Sequence, residues 1–177
     1  MRPQGLLTVS RIVDAAGKPI PPQKAIEYGW ITPEPGPFPG WGLDRSEIPL
    51  GRNLFVDQGR QLLAYAFSFR APIQNFVCQN FGVGTGTRPA KTTDVALQAP
   101  VALASSAYTG PIDSIDFLSA FVVRVAFTLG LADASGSLIT EQGLFSGNNT
   151  LIARRVRTVG INKTSDFAPT LTWRLRF

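Results

Sequence analysis

Between residues 121 and 129, large apolar side chains occupy every odd position, while the even positions include Arg124 and Thr128. This period of two predicts a strand with one face buried. Leu171, Trp173, Leu175 and Phe177 repeat the pattern against Thr172, Arg174 and Arg176, so the chain ends inside a sheet. Two further strands are expected at 138–145 and 150–159, joined by Ser146-Gly147-Asn148-Asn149, whose small polar residues suit a tight hairpin. Residues 6–13 read as another strand, closed by the turn-forming run Asp14 to Pro19. Only residues 57–67 read as an amphipathic helix: Asp57 can cap its first turn, and Leu62, Leu63, Ala66 and Phe67 share one face. Gly59 weakens it slightly. The assembly expected is mainly β: an antiparallel, jelly-roll-like β-sandwich with one short flanking helix and an extended N-terminal arm.

The arm is marked by its prolines. Eight of the 14 lie between Pro19 and Pro49. Proline fixes φ and removes a backbone donor, so neither a continuous helix nor a central strand is expected through this segment. Trp30, Phe38 and Trp41 lie within it and predict docking onto the domain or onto a neighbour. The chain therefore divides into residues 1–49, a strand and a proline-rich arm, and residues 50–177, the β-sandwich domain. On this division, deleting 19–49 leaves the sandwich folded and weakens assembly, whereas truncation at Ala168 unfolds it.

Composition narrows the chemistry. With 177 residues, 44% hydrophobic and only 16% charged, the chain can bury a core and still has little charge to spread over its surface. Burial against neighbouring subunits is the favoured reason. The charge of +5 is spread along the sequence, with one concentration at Arg154, Arg155 and Arg157. There is no histidine, and Cys78 is the single cysteine, which removes histidine metal sites, Ser/His/Asp and Cys/His nucleophile systems and any internal disulfide. Cys78 is expected to be a buried, inert thiol. No leader opens the sequence and no apolar run reaches the ~18 residues of a membrane helix, so a protein folded in a cytoplasm is expected.

Four arrangements in the sequence bear on chemistry. Gly82, Gly84 and Gly86 suggest a phosphate loop, but no glycine-lysine pair follows, Pro89 interrupts, and the spacing is not that of a dinucleotide fingerprint. Asp113 with Asp116, and Asp44 with Glu47, are paired carboxylates in polar, turn-like surroundings and read as turn formers or caps. The sequons at Asn148 and Asn162 matter only on a secretory route. On a strand, Arg154 and Arg155 point to opposite faces while Arg155 and Arg157 can share one, which favours salt bridges to a neighbouring strand or subunit over a nucleic-acid groove. No catalytic, cofactor-binding or metal-binding residues are assigned. The candidate interface residues are Trp30, Phe38, Trp41, Arg154, Arg155 and Arg157.

A family resemblance completes the reading. Phe81-Gly82-Val83-Gly84-Thr85-Gly86-Thr87, then Pro89 and Thr93-Asp94-Val95-Ala96-Leu97, resembles a segment recurrent in virion structural proteins of tailed bacteriophages. Ile139-Thr140-Glu141-Gln142-Gly143-Leu144-Phe145 followed by Leu151-Ile152-Ala153-Arg154-Arg155 is similar to a hairpin of the same proteins, as are Asn53 to Leu63, Ile161 to Thr164 and Leu171 to Arg174. The resemblance covers about residues 50–177 and rests on the order of the motifs. It implies a non-enzymatic homo-oligomer at the head–tail junction, collar, tail or fibre attachment, located in the virion after synthesis in the bacterial cytoplasm. The partners implied are other copies of itself and neighbouring virion proteins; no membrane is expected, and nucleic acid is disfavoured as a partner. Capsid decoration is the alternative within the same class. A carbohydrate- or receptor-binding module that stacks sugar on Trp30 and Trp41 is the rival from another class, and a nucleic-acid binder using the three arginines is the third.

Overall fold

The computed structural model describes residues 4–33, 48–68, 77–105, 107–119 and 122–176. Among these residues ten strands and two helices follow one another as β1 (Gln4–Asp14), α1 (Pro22–Glu27), β2 (Ile48–Phe55), α2 (Asp57–Ser68), β3 (Cys78–Gly84), β4 (Pro100–Val101), β5 (Gly110–Pro111), β6 (Ser114–Ser119), β7 (Val122–Thr128), β8 (Ser137–Ser146), β9 (Leu151–Lys163) and β10 (Phe167–Arg176). Every pairing is antiparallel. The protein is a β-sandwich with a short flanking helix. One sheet runs β3-β8-β9-β2, with β4 and β5 on the outer edge of β3, and the other runs β2-β1-β10-β7-β6.

Two pieces of chain tie the sheets together. Strand β2 pairs with β1 through Ile48 to Asn53 and then with β9 through Leu54 and Phe55, so it turns the corner between the layers. At the opposite side Gly110 and Pro111 pair with β3 and the Ile112 N–H donates to Gln79 O at 2.9 Å. The next residue, Asp113, donates its N–H to Ala126 O of β7 at 2.9 Å. Between the layers the alternating apolar residues of β1, β7 and β10 (Leu7, Val125, Phe127, Leu171, Trp173) meet Phe81, Val83, Leu144 and Ala153 of the other sheet. Phe81 and Phe127 stack across the interface, 4.1 Å between centroids.

The proline-rich segment departs from its expected form at both described ends. Helix α1 forms because Pro22 stands in its first turn, where a backbone N–H has no helical acceptor to lose. Strand β2 is central although it contains Pro49, which lies beside the register shift between Leu7 and Thr8, a place where a missing donor breaks no regular ladder. Ala25, Ile31 and Ile48 are buried in the main core, and Ile31 bridges to Ile161 of β9. The boundary expected at 49/50 therefore falls inside β2, and β1 lies between β2 and β10 in the sheet instead of outside the domain. Phe38, Trp41, Asp44 and Glu47 lie outside the described residues.

Helix α2 spans the expected residues, and Leu62 and Leu63 pack against the core. Gly59 is there for contact, since a Cβ at this position would strike the Ile152 carbonyl of β9. Asp116, expected in a turn, lies in β6 opposite Arg124 of β7 and pairs with it at 2.9 Å.

Candidate functional site

The glycine-rich stretch, the acidic residue of β8 and the arginine of β9 converge on the outer face of the β3-β8-β9 sheet. Alternation puts Phe81, Val83, Leu144 and Ala153 inward, so Gly82, Gly84, Glu141, Gly143 and Arg154 face outward. Residues 85–99 cross this face as a strap without regular secondary structure and return to β3 as β4. A second apolar cluster of Val56, Leu97, Phe145 and Leu151 lies beside the charged groups.

Four charges hold the strap. Arg154 is fully buried; its Nε donates to Glu141 Oε1 at 2.6 Å and its Nη1 to Asp94 Oδ2. Asp94 Oδ1 accepts from Arg88 Nη2 at 2.6 Å and Oδ2 from the Lys91 N–H at 2.8 Å. Glu141, also fully buried, accepts the N–H groups of Gln98 at 2.7 Å and Ala99 at 3.1 Å. Thr140 adds a hydrogen bond to Gly86 O at 3.0 Å, and Arg154 Nη2 donates to Arg88 O at 3.3 Å. Two cations thus face two carboxylates, which is the condition for keeping such groups away from water. Burial alone would raise the Asp94 carboxyl, but the Lys91 N–H and the guanidinium groups of Arg88 and Arg154 outweigh it and hold it below its usual value.

The glycines make room for this arrangement. A Cβ on Gly84 would lie 2.5 Å from Ala99 O and 2.6 Å from Glu141 Oε2, and one on Gly86 would lie 2.5 Å from that same oxygen. Gly82 meets Tyr108 O in the same way, at 2.9 Å. The stretch that looked like a phosphate cradle encloses the protein's own carboxylate. Comparison with models of known protein families, with curated proteins and with solved structures finds no match.

The candidate interface residues are dispersed. Arg154 serves the clasp just described, and Arg155 faces the opposite side of β9, as alternation required. Arg157 is buried and donates Nη2 to Thr32 O. The three arginines therefore form no common outward surface, because two of them are enclosed within the chain. Arg174 and Arg176 lie on β10 in the other sheet and do not extend such a surface. Trp30 is half-buried: Phe167 stacks on it at 4.4 Å with 4° between planes, and Tyr28 lies against it at 4.9 Å and 53°. Beyond Phe167 is Lys163, whose buried Nζ donates to Leu131 O at 2.8 Å and Thr164 O at 2.7 Å. Burial lowers the Lys163 ammonium below its ordinary value, and Asp133 and Asp166 offset this in part.

Cys78 opens β3, and burial pushes its thiol up to about 12, far from the reactive thiolate range. Among the described residues, no three of His, Cys, Asp or Glu gather in a group able to hold a metal ion. No helix among them is long and apolar enough to cross a membrane.

Proposed function

We propose that this chain is a non-catalytic structural component of a tailed-phage virion, assembling as a homo-oligomer at the head–tail junction, collar or tail. One observation carries the reading. The motifs on which the resemblance rests (Gly84 and Gly86, Asp94, Glu141, Arg154) are 70 residues apart at their extremes and yet build one buried clasp. Their shared task is to fasten a strap to a sheet, a structural use of buried charge. The low charged fraction, 16%, suits a surface that neighbouring subunits cover.

Two measurements test the reading: the mass of the protein in solution, and its location in intact particles by immunolabelling of virions. A discrete oligomer that labels the neck or tail is expected; a strict monomer absent from particles would overturn it, and label spread over the head would move it to capsid decoration. The carbohydrate-binding rival loses ground at Trp30, whose ring already stacks on Phe167 and touches Tyr28. A glycan array bound by the wild type and not by Trp30→Ala would reinstate it.

A further inference from the structure

Among the described residues, the outermost strands of the two sheets are unlike. Strands β4 and β5 are two residues long and each carries a proline, Pro100 and Pro111, the usual means of blocking an edge. Strand β6 ends the other sheet with six residues, none of them proline. It presents Ile115, Leu118 and Phe117, the last 80% exposed. A second apolar feature lies on the β1 side. A groove of about 270 Å³ is walled by Val9, Ile12, Pro19, Ile20, Pro21 and Ile48. Its prolines have no N–H to offer, so an apolar side chain suits it better than a polar one.

The charges around the two features are opposite. Residues 107–119 contain Asp113 and Asp116 and no cation. Residues 9–27 contain Arg11, Lys18 and Lys24, all exposed, against the carboxylates of Asp14 and Glu27, which leaves a positive excess. Asp116 is shared with Arg124, while Asp113 is exposed and uses Oδ2 for Thr128. Strands β10 and β7 lie between β1 and β6, a separation of about 14 Å at ordinary strand spacing, so knob and groove do not meet within one copy.

We propose that copies of this chain join head to tail, the Phe117 knob of β6 on one copy seating in the proline-walled groove beside α1 on the next. A contact between two different patches is heterologous, and repeating it closes a ring or extends a filament. The inference rests on the reading of the chain as a self-assembling building block and names the surfaces that do it.

The test uses the full chain and three samples: wild type, Phe117→Asp, and Pro21→Asp combined with Lys24→Glu, each checked for folding by circular dichroism. Aspartate at position 21 can still cap α1; if that variant does not fold, Arg11→Glu with Lys24→Glu, both exposed, replaces it. By sedimentation velocity the wild type assembles, and each variant alone needs roughly tenfold or more protein to do so. Mixed together, the variants form a one-to-one heterodimer and nothing larger, because one intact knob and one intact groove remain. Wild-type assembly unaffected by the substitutions would overturn the proposed contact and leave self-assembly standing. Loss in Phe117→Asp alone, without rescue on mixing, would overturn it in favour of β6 pairing with β6. A wild type that is monomeric at every concentration would overturn both.

Discussion

Arg154 carries a guanidinium into a site closed to water, where Glu141 and Asp94 offset the cost of burying it. Glu141→Gln keeps the shape and removes one of the two anions, so it should cost about 3 kcal/mol in urea unfolding, the lower end of the range for breaking a buried pair. Protonation of Asp94 has a related effect. Because its folded value is depressed, its contribution is complete above the unfolded value of about 3.9 and disappears as pH falls through the folded one. The gap in urea midpoint between wild type and Asp94→Asn should accordingly be constant near neutrality and close in acid. Gly59→Ala sets two effects in opposition. Alanine gains up to about 1 kcal/mol of helix propensity over glycine. Its methyl group, however, would collide with the Ile152 carbonyl, a backbone atom that cannot turn aside, and overpacking of about 1–3 kcal/mol should win.

At the scale of elements, β10 is hydrogen-bonded on both sides, to β1 and to β7, and buries Leu171, Trp173 and Leu175. Truncation at Ala168 should abolish the cooperative thermal transition. Deletion of residues 19–49 should do so as well, contrary to the expectation from proline content, because it removes Ala25, Ile31 and the buried start of β2 at Ile48. The β8–β9 hairpin was readable from its turn residues, and so was the pairing it dictates. With the turn at 146–149, Glu141 and Arg154 fall near one another across the hairpin. Asp94 and Arg88 were not readable as their partners, since the strap has no periodicity and its path is fixed only by the sheet beneath it. For the same reason the sequence pattern does not reveal β2: its first residues lie in a proline-rich run and its pairing partners lie far away in sequence.

In the described residues the two sheets enclose one main core between them, tied at one side by β2 and at the other by residues 110–114. Unfolding should therefore be a single transition, coincident in far-ultraviolet dichroism and in the fluorescence of the tryptophans, of which Trp173 is in the core. Two separated transitions would mean that the sheets unfold independently. The sequence by itself determined the β class, five of the ten described strands, the flanking helix and the opposite facing of Arg154 and Arg155, because those follow from alternation and local turn chemistry, which act over a few residues. Only the tertiary structure decided what the glycines, the arginines and the proline-rich segment are for. Their roles are set by contacts between residues as much as 125 positions apart, such as Arg157 with Thr32. A linear pattern records which residues are present, but which of them share a buried space depends on how the sheets stack.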